Sequence, residues 1–100
     1  MSFRSVSAIC KALSDENRLR ILGIIGEDRK SVSRIVEESG LSQPLVSHHL
    51  KELRLCGLLR VERSGPFVYY QVADGEVIKA LDYLGQLTRA LRANREEGTP

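Results

Sequence analysis

The chain has 100 residues, a length typical of one domain. Hydrophobic residues make up 42% and charged residues 28% of the sequence, so we expect a folded core and not a disordered chain. No apolar run approaches the roughly 18–20 residues of a membrane span, and the N-terminus lacks the apolar stretch of a secretory signal. The two cysteines, Cys10 and Cys56, make no disulfide framework, which indicates a reducing, cytoplasmic compartment.

Apolar spacing predicts four helices in the first half of the chain. Ser14 and Asp15 supply N-cap chemistry before the second helix, and Gly40 ends the third as a C′ glycine. Ser42 caps the fourth helix, whose first turn holds Pro44. The predicted spans are residues 6–13, 16–25, 31–39 and 42–56. Because a very short connection with a glycine joins the third and fourth helices, this segment is typical of a helix-turn-helix.

The second half of the chain predicts a β-hairpin and a helix. Segments 58–62 and 67–72 are rich in β-branched and aromatic residues, and they flank turn residues at 63–66. A last helix is predicted over residues 76–92. The expected fold class is mainly α with a small β-hairpin (α+β), in the order α-α-α-α-β-β-α. We expect one domain over residues 1–95 and a frayed polar tail over residues 96–100.

The fourth helix is amphipathic in a way that suits duplex DNA. Val46, Leu50 and Leu53 recur at spacings of four and three and are expected to face the core. The opposite side carries Gln43, Ser47, His48, Lys51 and Arg54. Gln can bond an adenine edge in the major groove, whereas Lys and Arg further along the helix suit phosphates. The alternative is that this side is only a solvated face, since the net charge of +2 is too mild to identify a nucleic-acid binder.

Several motifs together resemble the ArsR/SmtB winged-helix regulators. Segment 12–22 (ALSDENRLRIL) resembles their second helix, and segment 41–53 (LSQPLVSHHLKEL) resembles their recognition helix. Segments 56–59 (CGLL) and 65–70 (GPFVYY) resemble their wing. The resemblance covers about residues 8–92. It implies a winged helix-turn-helix fold and a homodimeric repressor that binds a double-stranded DNA operator near its promoter.

The resemblance also implies which residues contact DNA. On the recognition helix, the contacts carried over are Gln43, Ser47 and His48. Pro44 stands where the family commonly has a small polar residue. Gly65 is followed by Pro66 and Phe67 and not by a basic residue, which leaves contact between the wing tip and a minor groove open. The full set of candidate DNA-binding residues is Ser42, Gln43, Pro44, Ser47, His48, Lys51, Arg54, Arg60 and Arg63.

None of the family's metal sites is complete in this sequence. The third helix has no cysteine pair of the arsenic type, and residues 76–92 have no histidine for a zinc-type site. A third variant uses two cysteines four apart near the end of the recognition helix. Cys56 matches the second of these, but Glu52 occupies the first position. We therefore expect no cofactor, and the effector stays open.

The two cysteines and the two histidines are expected in structural roles. Cys10 and Cys56 are expected as small buried hydrophobes. The alternative is a thiol site across a dimer interface that senses arsenic or an oxidant, which makes these cysteines weak candidate ligands. His48 and His49 point about 100° apart on a helix, so they cannot chelate one ion together. His49 is expected in the packing between helices.

The last helix is expected to contribute to a dimer. Its apolar residues exceed what one small core needs: Leu81, Leu84, Leu87 and Leu91. They could instead pack on the second helix of the same chain. We expect the first and last helices to form a two-fold interface, so that two recognition helices meet successive major grooves. A rival function is a protein-interaction module that does not bind DNA. An enzyme is not expected, because no orienting acid or anion hole accompanies Ser47 and His48.

Overall fold

The computed structural model describes residues 1–97, with side chains described through residue 95. Within that range the chain forms five α-helices and three β-strands. They are α1 (Phe3–Ala12), α2 (Glu16–Ile25), β1 (Lys30–Ser31), α3 (Val32–Ser39), α4 (Gln43–Leu55), β2 (Leu59–Ser64), β3 (Phe67–Val72) and α5 (Glu76–Glu97). The predicted mainly α fold with a small β-hairpin is confirmed.

Polar caps and one glycine set the ends of the central helices. Oδ1 of Asp15 accepts hydrogen bonds from the backbone N–H groups two and three residues further on, at 2.8 and 3.1 Å, and so starts α2. Ser42 starts α4 in the same way, its Oγ accepting a backbone N–H at 3.4 Å. Gly40 ends α3 with φ of 71°, a conformation that other residues adopt only with strain. The α3–α4 connection is therefore short and defined, as a helix-turn-helix requires.

One aliphatic core joins α2, α3, α4 and the hairpin. Its buried residues are Ile21, Leu22, Ile25, Ile35, Val46, Leu50, Leu53, Leu58, Leu59 and Val72. Burying one such side chain fully stabilises the fold by about 1.5–3 kcal/mol. Because three of these residues come from one side of α4, their packing fixes the orientation of this helix and turns its other side to solvent.

The three strands form an antiparallel sheet in the order β1–β3–β2. Ser64 pairs with Phe67, so the hairpin loop consists of Gly65 and Pro66 alone. Gly65 has φ of 59°. A glycine with positive φ at the first loop position is typical of a type II′ turn, whose twist matches that of the strands. We call β2, this loop and β3 the wing.

The wing has an inner face toward α4 and an outer face, because side chains alternate along each strand. Leu59 and Val72 are buried in the core and identify the inner face. The inner face carries Leu59, Val61 and Arg63 on β2 and Val68, Tyr70 and Val72 on β3. The outer face carries Arg60, Glu62 and Ser64 on β2 and Phe67, Tyr69 and Gln71 on β3.

Near the N-terminus, the structure differs from the sequence prediction at three places. α1 begins at Phe3 and not at residue 6, because Ser2 caps it and its Oγ accepts a backbone N–H at 3.2 Å. α3 begins at Val32, and Ser31 is its cap instead of its first residue. Lys30 and Ser31 also form β1, a strand that was not predicted, which pairs with β3. The sheet therefore has three strands instead of two.

Toward the C-terminus, two elements are longer than predicted. Arg63 and Ser64 belong to β2 and not to the turn. α5 continues to Glu97 and not to residue 92, so positions 96 and 97 of the predicted tail are helical. Positions 98–100 lie outside the described residues. Although α5 has 22 residues, no helix in the described range is both long enough and apolar enough to cross a membrane.

Candidate nucleic-acid interface

The two sides of α4 differ in burial. Its buried residues are Val46, His49, Leu50 and Leu53, so the predicted inward positions are confirmed. His49 is only 5% exposed and packs among the helices, as expected. The candidate DNA contacts on α4 and its cap are all exposed: Ser42, Gln43, Pro44, Ser47, His48, Lys51 and Arg54. We call Gln43, Ser47, His48, Lys51 and Arg54 the polar face of α4.

Different chemistry occupies the two ends of this polar face. Gln43 lies in the first turn of α4, and its amide can both donate and accept hydrogen bonds. Lys51 lies eight positions further on, about 12 Å along the helix axis, and Arg54 lies in the last turn. The N-terminal end therefore offers uncharged hydrogen-bonding groups, whereas the C-terminal end offers two cations.

A buried histidine connects α4 to the start of α2. Nε2 of His49 lies 3.8 Å from Oδ1 of Asp15. The other ring nitrogen of His49, Nδ1, is buried and has no hydrogen-bond partner among the described residues. The backbone N–H of Arg18 above all, together with that of Asn17 and with His49 nearby, holds the pKa of Asp15 below its ordinary value. The ionised carboxylate at the N-terminus of α2 therefore also contacts the buried side of α4.

The two arginines of the wing lie on opposite faces, since they are three positions apart on β2. Arg60 is on the outer face, where its Nη2 donates to Oε1 of Gln71 at 3.0 Å. Arg63 is on the inner face and lines an open notch of about 700 Å³ between α4 and the wing. The residues that line this notch are Arg54, Val61, Arg63, Val68 and Tyr70. Tyr70 was not among the predicted site residues. Because side chains alternate along a strand, Tyr70 lies on the same face of β3 as the buried Val72, and this spacing could have indicated it.

The cations near the wing differ in whether they are paired. The paired ones are Arg29 (with Glu62, 2.9 Å), Lys30 (with Glu38, 2.8 Å) and Arg60 (with Gln71, 3.0 Å). Within the described part of the chain, by contrast, the side chains of Lys51, Arg54 and Arg63 make no ion pair or hydrogen bond. The cations whose side chains have no partner therefore lie on the polar face of α4 and on the inner face of the wing, while Arg60 on the outer face keeps its charge because Gln71 is neutral.

The expected burial of the cysteines is wrong for Cys10, which is exposed because α1 contributes no buried residue to the core. Cys56 is half-buried, and its Sγ donates to the carbonyl oxygen of Leu53 at 3.2 Å. Cys10 lines a groove between α1 and α5, whereas Cys56 lines a different cavity of about 200 Å³ between α1 and α4. Among the side chains described through residue 95, no group of three or more His, Cys, Asp or Glu residues is placed to hold a metal ion.

The arrangement defines a class of protein. A tight helix-turn-helix, an exposed polar second helix and an adjoining two-stranded wing, with further helices at both ends, are the parts of a winged helix-turn-helix domain. In this class the second helix of the motif is the recognition helix. Here that helix is α4.

Comparison with known proteins agrees with this class. Residues 15–61 match the model of the bacterial regulatory protein, arsR family. The chain is 33% identical over 86 residues to an uncharacterized HTH-type transcriptional regulator of Methanocaldococcus jannaschii, covering 82% of this chain and 97% of that protein. It is 34% identical over 86 residues to the arsenical resistance operon repressor of Staphylococcus xylosus, covering 86% of this chain and 79% of the repressor. A homodimeric winged helix-turn-helix DNA-binding domain from Mycobacterium bovis superposes with a TM-score of 0.79 at 26% identity, over 86% of this chain and 80% of that one.

The chain therefore belongs to the ArsR/SmtB family of DNA-binding transcriptional regulators, as its motifs indicated. Some relatives are longer than this chain, which spans 66% of the cadmium resistance transcriptional regulatory protein of Listeria innocua. The relatives are transcriptional regulators, which agrees with the expectation of a regulatory protein.

Proposed function

We propose that the protein is a homodimeric, cytoplasmic repressor without enzymatic activity that inserts α4 into the major groove of a pseudo-palindromic operator. The observation that carries this proposal is the division of α4 into two sides. Buried leucines and a valine hold one side on the core, and exposed polar side chains cover the other. An α-helix fits the major groove, and a packed scaffold keeps it rigid during insertion.

Base recognition is assigned to the N-terminal half of the polar face. Gln43 can bond the edge of an adenine bidentately, and Ser47 and His48 are short side chains that can donate to or accept from base edges. Ser42 and Pro44 surround the start of the helix and are the remaining candidate contacts there. All five side chains are exposed, which supports access to the groove floor.

Backbone contact is assigned to the cations further along α4 and on the wing. Lys51 and Arg54 follow the base-reading residues on the same side of the helix and are unpaired in the described range. Arg63 on the inner face of the wing is unpaired as well. Arg60, on the outer face, is the weaker candidate because its guanidinium already donates a hydrogen bond to Gln71. Such contacts position the protein and make its affinity depend on salt.

Dimerisation is assigned to α1 and α5, because these helices leave apolar side chains uncovered. Phe3 of α1 is 80% exposed and Tyr83 of α5 is 65% exposed. Further exposed apolar residues on the two helices are Val6, Ile9, Leu84, Leu87 and Leu91. Three of these residues, Ile9 of α1 and Tyr83 and Leu84 of α5, line one groove between the two helices. The radius of gyration, 15.5 Å, also exceeds the roughly 13 Å of a compact chain of this length. A second copy related by a two-fold axis would cover this surface.

Selection of bound duplexes from a random pool tests the proposal. A two-fold dimer should enrich inverted half-sites whose centres are one helical turn apart, about 10 base pairs. The purified protein should sediment at twice the mass of the chain. A monomer, or a pool without enrichment, would contradict the proposal. If the protein instead captured a partner protein with binding that tolerates salt, the rival function as an interaction module would stand.

Repeating the selection with arsenite, zinc, cadmium and an oxidant tests for an effector. Because Cys10 and Cys56 line different cavities of one chain, we expect a thiol response to join cysteines of two protomers or to act on one cysteine alone. Cys10→Ser and Cys56→Ser distinguish these cases. Binding that is unchanged under every addition would exclude these metals and thiol oxidation as effectors.

A further inference from the structure

The notch between α4 and the wing has the composition of an anion site. We propose that Arg54, Arg63 and Tyr70 together bind one backbone phosphate of the DNA duplex. This inference rests on the proposed function. It goes further in assigning a role to Tyr70 and in combining two separate arginines, from different elements, into one site.

The geometry brings these three side chains together from three elements. Arg54 lies in the last turn of α4, Arg63 near the end of β2 and Tyr70 in the middle of β3. On the inner face of the wing, the register pairs Arg63 with Val68 and Tyr70 with Val61. The two valines therefore alternate with the polar side chains and complete the lining of the notch.

The charge in the notch is not neutralised by the protein. The side chains of Arg54 and Arg63 have no acidic or hydrogen-bonding partner among the side chains and backbone described through residue 95, whereas Arg29 on the outer side is paired with Glu62. Two guanidinium groups that line one cavity repel each other, and an anion between them removes that repulsion. The hydroxyl of Tyr70 also has no hydrogen-bond partner in the described range and can donate to the same anion.

A DNA phosphate fits this site better than a protein carboxylate. Arg54 is the C-terminal member of the polar face of α4, so a duplex that follows this face passes the mouth of the notch. The planar fork of arginine matches phosphate oxygens with two parallel hydrogen bonds. A neutral phenol adds a third donor to the tetrahedral group. The wing then binds the backbone through its inner face, without any basic residue at its tip.

Salt-dependent binding to a random-sequence duplex tests the site, because the operator is not needed. Affinities are measured between about 50 and 200 mM salt. Arg63→Gln should lower the slope of log affinity against log salt by about 0.9 per protomer, or about 1.8 per dimer. Arg20→Gln removes the same charge from an exposed position on α2 and should leave the slope unchanged. Melting curves confirm that each variant is folded.

Tyr70→Phe separates a phosphate contact from a structural role. The variant keeps the ring and its place in the strand, so its melting temperature should equal that of the parent. Because a neutral donor releases no counterion, the slope should stay the same while affinity falls about tenfold. A purely structural role would instead lower the melting temperature and leave the affinity of the folded protein intact.

The outcomes distinguish this inference from the proposed function. If the parent protein binds duplex DNA but Arg63→Gln and Arg20→Gln behave alike, the notch holds no phosphate. This inference and the backbone contact assigned to Arg63 are then wrong, while insertion of α4 into the major groove stands. If Tyr70→Phe binds as tightly as the parent, this inference is likewise wrong. If the parent binds no duplex, the proposed function fails. Binding of an acidic peptide that Arg63→Gln abolishes, without duplex binding, would assign the notch to a protein partner and overturn the inference.

Discussion

Separate exchange of Gln43 and Lys51 for alanine tests whether the two ends of α4 have different roles. These residues are eight positions, or about 12 Å, apart along the helix axis, a distance comparable to the width of the major groove, about 12 Å. When the first turn is at the groove floor, Lys51 is therefore near the backbone. The expected effect of each substitution depends on whether the residue contacts a base or a phosphate.

Gln43→Ala removes a base contact. The expected loss of discrimination against the wrong base is about 1–3 kcal/mol per half-site, so a dimer loses at least about 30-fold in preference for its operator. Affinity for random duplex should not change. Lys51→Ala removes one phosphate contact per protomer, so the salt slope should fall by about 1.8 per dimer for every duplex alike. The Lys51→Ala variant should discriminate between duplexes as well as the parent protein does.

Fluorescence anisotropy measures both effects with three duplexes: the selected operator, the operator with one substituted base pair, and a random sequence. Arg20→Ala is the control, because it lowers the charge by the same amount at a site on α2. The division of roles would be refuted if Gln43→Ala and Lys51→Ala weakened all three duplexes by the same factor. It would also be refuted if Lys51→Ala changed the preference and Gln43→Ala did not.

Three further predictions concern the interface, the core and acid stability. Leu87→Ala should raise the dissociation constant of the dimer roughly 30-fold, because about 2 kcal/mol of apolar contact is lost from two copies. Leu55→Ala, at another exposed leucine outside α1 and α5, should leave the dissociation constant unchanged, as measured by sedimentation over a range of protein concentrations, and an unchanged constant for both variants would contradict the interface. Leu50→Ala should lower the free energy of unfolding in urea by about 3 kcal/mol, because Leu50 is fully buried in the core; a loss below about 1 kcal/mol would count against that packing. The backbone N–H of Arg18, above all, lowers the pKa of Asp15 from its ordinary value of 3.8, so the stabilisation by Asp15 is complete above that value and is lost as pH falls through the lower, folded value. Asp15→Asn should therefore flatten the acid limb of stability against pH, and an unaltered limb would mean that Asp15 contributes nothing there.

The sequence predicts the elements that local periodicity and capping determine. The four N-terminal helices and the hairpin were found because buried positions recur at helical or strand spacing between clear cap and turn residues. β1 was missed because two residues, Lys30 and Ser31, carry no period, and their pairing with β3 depends on tertiary structure. α5 continues past residue 92 because its polar last turns remain good helix formers, although no apolar residue marks them.

The polar face of α4 was predictable for the same reason, since helical spacing alone separates buried from exposed residues. The notch between α4 and the wing was not predictable, because its existence depends on how these two elements are placed in the folded chain. The opposite faces of Arg60 and Arg63 follow from strand alternation, but only once both residues are known to lie in β2 and not in the turn. Cys10 was wrongly expected to be buried, because the general tendency of cysteine does not account for a helix that contributes no buried residue to the core.

Chemical protection of guanine N7 atoms tests most directly whether α4 enters the major groove. Dimethyl sulfate methylates N7, which is exposed only in that groove, and a bound recognition helix blocks it. With the selected operator, protection is expected in two patches about 10 base pairs apart, one for each protomer, and Gln43→Ala should weaken both. Full methylation throughout a saturated complex would contradict insertion of α4, and a single protected patch would contradict the dimer.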